Sequence, residues 1–85
     1  MALSGEAFST GSGHTLLAMI TSASNSPWPL DVPIDFAVAG LHAACKVRLK
    51  LFTLDNRLIL RRIGILHDSD RRSVERALKD LLAFG

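Results

Sequence analysis

HTLLAMITSA (residues 14–23) runs apolar from Leu16 to Ile20 and turns polar at Thr21 and Ser22. Leu, Ala and Met are good helix formers, so local propensity alone favours a helix. The run is short, however, with Gly13 on one side and a polar loop on the other, the pattern of a strand buried in a core. As a strand it leaves its terminal hydroxyls to explain. Thr21 and Ser22 either begin a turn and bond local backbone, or the strand delivers them to a cleft.

The clearest periodicity lies at residues 46–54, KVRLKLFTL. Val47, Leu49, Leu51 and Thr53 fall on one face, and Lys46, Arg48, Lys50 and Phe52 on the other. This predicts a half-buried strand with an exposed basic face. Asp55 and Asn56 then make a turn, and LILRRIGIL (58–66) predicts a further strand or strand-like extension broken near Gly64. Between the two main strands, SNSPWPLD (24–31) reads as a loop whose prolines hold Trp28 on a rigid path, as a lid on the core or a contact surface. Residues 30–34 read as a short strand that Pro33 confines to a sheet edge. Residues 39–41, AGL, form a turn.

Ahead of residue 14, residues 1–4 fit the tail of a strand and SGEAFSTGSG (4–13) a Gly/Ser-rich loop, with Phe8 plugging a core edge. At the other end, residues 68–83 predict an amphipathic helix. Val74, Ala77, Leu78, Leu81 and Leu82 recur at helical spacing. Asp68 is the predicted N-cap, Asp70 suits the positive helix end, and Leu66 staples the start. The layout is α+β: several short strands and one C-terminal helix forming a small barrel.

The chain has 85 residues, room for one domain over 1–85. Hydrophobic residues make up 48% of it, which predicts a surface for a partner. Charge is divided along the chain. Residues 1–45 hold Glu6, Asp31 and Asp35 and no Lys or Arg, whereas every basic residue lies from Lys46 onward. Such asymmetry favours a polyanion or an acidic segment as partner. His14, His42 and His67 are dispersed and Cys45 is the lone cysteine, so no metal-ligand spacing exists. GSG (11–13) precedes a strand, the wrong context for a phosphate loop. The lone cysteine fits a reducing compartment. MALSGEAFS does not read as a signal peptide, and the run LLAMI falls far short of the roughly 18 residues that cross a bilayer. A cytoplasmic protein with no membrane segment is expected.

Taken in order, LS…F…GHTLLAMITSA, DVPI, AGL, KVRLKLFTLD, ILRRIGIL and a helix with VxxAL resemble the MazF/PemK family of toxin endoribonucleases from toxin–antitoxin pairs. The resemblance covers essentially the whole chain. It implies an SH3-like β-barrel with a C-terminal α-helix, a homodimer, cleavage of single-stranded RNA without metal or cofactor, and neutralisation by an antitoxin protein. The Thr of the family's ITS element matches Thr21, so the resemblance makes Thr21 catalytic, holding the scissile phosphate as the 2′-hydroxyl attacks. Arg48 is the cation left to neutralise charge beside it, and Ser22, Lys46 and Lys50 are the RNA-binding candidates.

Two departures weigh against full activity. Family members begin with a further strand and an Arg-Pro motif, so this chain reads as N-terminally truncated relative to the family. No arginine in residues 1–45 replaces the motif. Losing a first strand also uncovers a strand edge. In addition, Leu49-Lys50 stands in register with the family's acidic-polar pair. Three readings follow: a ribonuclease toxin, weakened or inactive; a non-catalytic remnant that dimerises or binds antitoxin; or a small barrel binding nucleic acid through Lys46, Arg48 and Lys50. A stripe of alternating basic residues is usually a solvated face, and only Phe52 interleaves aromatically with it.

Overall fold

A computed structural model describes residues 1–35, 37, 39–61 and 63–83. Residues 14–22 are a strand, as their flanks predict and against the helix propensity of Leu, Ala and Met. This strand, β1 (His14–Ser22), pairs antiparallel with β3 (Cys45–Asp55), and β3 pairs antiparallel with the short β2 (Val32–Ile34). The sheet order is β1-β3-β2, so Pro33 lies on an edge strand, where its missing N–H costs no ladder bond.

The β1–β3 register runs from His14 opposite Asp55 to Ser22 opposite Cys45. It is interrupted once. Ala18 faces Leu51 while Met19 faces Arg48, so Leu49 and Lys50 sit between those partners without a counterpart on β1. Such bulges bend a strand and re-aim its side chains. The far edge of β1 is covered in part: Leu3 N–H donates to the Leu16 carbonyl, Ala18 N–H donates to the Met1 carbonyl, both at 2.8 Å, and Ala2 bridges Leu17. Residues 1–3 thus act as the strand tail predicted.

The helix α2 (Asp68–Leu82) packs on β2 and β3. Val74 of α2 and Val47 of β3 are the two largest fully buried side chains, and Ala18, Val32, Ile34, Leu49 and Ala77 complete the core around them. Its N-cap is His67, not Asp68: the imidazole nitrogen accepts from Ser69 N–H at 3.1 Å, leaving Asp68 and Asp70 in the first turn beside the positive helix end. That shift makes Leu66 the residue before the cap, and it packs against the core as a staple should. Leu81 and Leu82, predicted for the buried face, remain 43% and 48% exposed.

Three further expectations are corrected. Residues 4–13 are not all loop: α1 (Glu6–Ser12) forms there and ends at Gly13, whose φ of 74° gives the left-handed cap that glycine adopts without strain. None of α1 is buried, so Phe8 does not plug the core. The helix is tied instead by Asn56, whose Nδ2 donates to the Ser9 carbonyl at 2.9 Å. The strand predicted at 58–66 is also absent among the described residues. A 3-10 turn (Asn56–Leu58), capped by the Asp55 carboxylate, leads into irregular chain, and Arg62 lies outside the described residues. Both sides of β1 are occupied, one by residues 1–3 and the other by β3. The class is α+β as expected, and among the described residues the three strands form an antiparallel sheet that is not closed.

Candidate functional site

Along the face of β3 opposite Val47 stand Lys46, Arg48 and Lys50. The sequence predicts three exposed cations there, and the structure corrects this. Lys46 is 9% exposed and Arg48 is half-buried, leaving only Lys50 open to solvent. What covers them is the loop of residues 23–31, folded down over the strand.

Asp31 carries most of that contact. Arg48 embraces its carboxylate with two donors, Nε to Oδ1 at 3.2 Å and Nη2 to Oδ2 at 3.1 Å, a planar fork on a planar carboxylate. Lys46 Nζ reaches the same Oδ2 at 3.0 Å. The three side chains are only 11–13% exposed, so water screens the cluster little. The Arg48 hydrogen bond is the foremost cause holding the Asp31 carboxyl down from its ordinary 3.8 to about 2, with Lys46 and the Trp28 N–H adding to it. One carboxylate cannot balance two cations, and with Lys50 nearby the patch keeps net positive charge.

The same cations bind the loop backbone. Lys46 Nζ donates to the Asn25 carbonyl at 2.8 Å and Arg48 Nη2 to the Ser26 carbonyl at 2.6 Å. Trp28 lies over the strand, its ring centroid 5.5 Å from the Arg48 guanidinium carbon and 5.3 Å from Lys50 Nζ. Contacts of this kind contribute about 0.5–1 kcal/mol at exposed sites. Trp28 is therefore a cover on the basic strand, 41% exposed, and not a lid on the core.

Thr21 stands directly opposite Lys46 in the ladder, and its Oγ1 accepts from Asn25 Nδ2. Ser22 faces Cys45 and shares a hydrogen bond with Ser24 Oγ at 2.9 Å. Arg48 faces Met19, two residues along the same face, and Lys50 sits in the bulge with no partner. The structure thus brings Thr21, Lys46 and Arg48 to one end of one sheet face. Sequence reasoning missed Asp31 and Asn25. The signal for Asp31 was the charge division itself: an acid in a half without bases, preceding the edge strand that pairs with Lys46. Among the described residues no group of three or more His, Cys, Asp or Glu is placed to hold a metal ion. No described helix is long and apolar enough to cross a membrane.

The sequence model of the family described as PemK-like, MazF-like toxin of type II toxin-antitoxin system matches residues 1–82. No curated protein matches the chain. Among solved structures, "Mycobacterium tuberculosis toxin MazF-mt6" superposes with a TM-score of 0.83 at 23% identity, over 100% of this chain and 85% of that one. Another, "Crystal structure of Mtb toxin", gives a TM-score of 0.79 at 25% identity over 94% of this chain and 87% of that one.

Proposed function

The chain belongs to the PemK-like, MazF-like toxin family of type II toxin–antitoxin systems, and from that premise we propose that it is an endoribonuclease acting on single-stranded RNA through Thr21, Lys46 and Arg48. The observation that supports this most is the ladder position of Thr21: a hydroxyl opposite Lys46 and two residues from Arg48 on one face. In the reaction the RNA 2′-oxygen bonds to phosphorus and the bond to the 5′-oxygen breaks. The hydroxyl proton passes to solvent, and the departing oxygen takes a proton from solvent. Thr21 Oγ1 positions the phosphate while Arg48 and Lys46 offset its developing charge. Ser22 and Lys50 hold the flanking backbone. No metal or cofactor takes part in this reading.

Cleavage by this chain is weak in the same reading. Charge neutralisation falls on two cations already paired with Asp31, and the phosphate must compete with that carboxylate for them. That pairing also favours a second reading, in which the chain binds antitoxin and dimerises without cleaving. A homodimer, an antitoxin protein as partner, a cytoplasmic site of action and residues 1–85 as one working unit belong to both readings. The SH3-like barrel does too, with residues 1–3 serving as part of the wall beside β1. The deciding experiment is incubation with single-stranded RNA in the presence of a chelator. Slow cleavage that Thr21→Ala abolishes supports the enzyme. Vigorous cleavage indifferent to Thr21→Ala removes the site, and no cleavage at any enzyme concentration leaves the non-catalytic reading.

A further inference from the structure

We propose that residues 23–31 are a latch, in which the Asp31 carboxylate occupies the phosphate-binding position on β3 and must leave before RNA can bind. The proposal rests on the reading of this face as an RNA site and adds its regulation.

Four observations carry it. First, a carboxylate held by a guanidinium fork and an ammonium is in the environment a phosphodiester oxygen pair would seek, and Asp31 fills it at 3.0–3.2 Å. Second, the loop is tied down chiefly by polar groups of the same face. Asn25 bonds Thr21, the Asn25 and Ser26 carbonyls accept from Lys46 and Arg48, and the Trp28 ring rests on Arg48 and Lys50. All of residues 23–30 are exposed, so little apolar burial opposes release. Third, Leu30 next to Asp31 has a φ of 64°, a left-handed conformation costing a non-glycine residue about 1 kcal/mol. The closed loop therefore carries strain that opening relieves. Fourth, the patch keeps net positive charge when closed, so an approaching polyanion is attracted before the latch opens.

Exchange of the carboxylate for a phosphate swaps one anion for another. It releases fewer counterions than binding to a bare cation pair, which flattens the salt dependence of the native protein.

The test compares the native chain with Asp31→Asn, using a short labelled uridine oligonucleotide and, separately, inorganic tripolyphosphate, both with chelator present. With Asp31→Asn, affinity for both anions is expected to rise about tenfold, since one competing charge-assisted contact is removed. The slope of log affinity against log salt for the oligonucleotide steepens by about 0.7, one freed charge. Equal or weaker binding by Asp31→Asn overturns the latch and makes Asp31 a strut that positions Lys46 and Arg48. Should Asp31→Asn fail to fold, the native chain decides the matter through Trp28, its one tryptophan. A shift in Trp28 emission at saturating tripolyphosphate supports opening, and binding with unchanged emission overturns it. If tripolyphosphate binds Asp31→Asn tightly and the oligonucleotide does not, the latch stands and the RNA reading falls.

Discussion

Thr21 and Lys46 face each other across the β1–β3 ladder, and Asn25 holds both, its amide donating to the Thr21 hydroxyl and its carbonyl accepting from the Lys46 ammonium. A hydroxyl serving only to end a strand could be lost with little consequence. A hydroxyl that orients a phosphate could not. Thr21→Val keeps the β-branched shape and removes the oxygen, whereas Thr21→Ser keeps the oxygen. On the site proposed, Thr21→Val lowers the cleavage rate by about a hundredfold with a small change in melting temperature, and Thr21→Ser retains most activity. Equal rates for the two variants would sink the assignment.

Arg48 reads differently, because it serves RNA binding and the latch together. Arg48→Ala removes a phosphate contact, so affinity for single-stranded RNA falls and its salt slope flattens by about 0.7. It also takes away the fork on Asp31 and the cation under Trp28. Trp28 emission should therefore shift even without RNA, which fluorescence of the free variant checks.

Acid tests the same cluster. The Asp31 carboxyl is held down to about 2 in the folded chain, chiefly by Arg48, against an ordinary 3.8. A depressed carboxyl contributes stability that is complete above the ordinary value and lost as pH falls through the folded one. Folding stability should thus decline between about pH 4 and pH 2. Asp55, lowered by its hydrogen bond with Arg57, acts in the same direction. Lys46 and Arg48 face Asp31 from β3. Denaturant melts across the window should show a shallower decline in Asp31→Asn than in the native chain. An identical decline in both would show that Asp31 is not the group being titrated.

How far the sequence revealed this fold differs by element. Residues 46–54 were legible because their alternation is strict and one face is buried, and residues 14–22 because Gly13 and the polar loop bound a run too short for a buried helix. Residues 58–66 misled for a physical reason. ILRRIGIL has strand-like side chains, but a strand also needs an edge to pair with, and edges are decided by chain order elsewhere. The basic stripe was legible as a pattern and not as an environment. Nothing local to Lys46 or Arg48 announces that Asp31, many residues earlier, pairs with both. Thr21 itself was marked by resemblance, since a strand-end threonine has no signature of its own.

Gly64 supplies a prediction about the fold rather than the site. A Cβ built there would lie 1.9 Å from the Ala39 carbonyl oxygen, well inside contact distance, and that atom belongs to backbone. Gly64 is thus what lets the 63–66 segment close against the Ala39–Gly40 turn, where Gly40 has a φ of 79°. Gly64→Ala should destabilise the chain by about 1–3 kcal/mol, as overpacked sites do. Gly11→Ala meets nothing within 4 Å and serves as the control. Thermal denaturation of the two variants distinguishes them, and equal melting temperatures would mean the 39–64 contact is not made in solution.

The apolar side chains left unpaired after Asn56 bear on self-association. Leu58, Leu60, Ile63 and Ile65 are 63%, 93%, 66% and 62% exposed. Ile59, Ile63 and Ile65 also line an open groove of about 880 Å³ with Leu17, Ile20 and Leu54. Exposed apolar surface of this kind favours burial at about 25 cal/mol per Å², and large exposed aliphatics gathered along one stretch mark an interaction surface. On the homodimer proposed, part of this surface lies between protomers. Leu60 is the sharpest probe: at 93% exposure it supports nothing within its own chain, so Leu60→Asp should leave the melting temperature at high dilution unchanged. In the assembled state the new carboxylate would be buried against apolar neighbours, and dimerisation should weaken by a factor of ten or more, roughly 1.4 kcal/mol or above. Sedimentation equilibrium at micromolar concentration reads this directly, with the native chain near twice its monomer mass and Leu60→Asp near the monomer. A native chain that sediments as a monomer removes the dimer, and a Leu60→Asp variant that dimerises as well as the native chain moves the interface to another face.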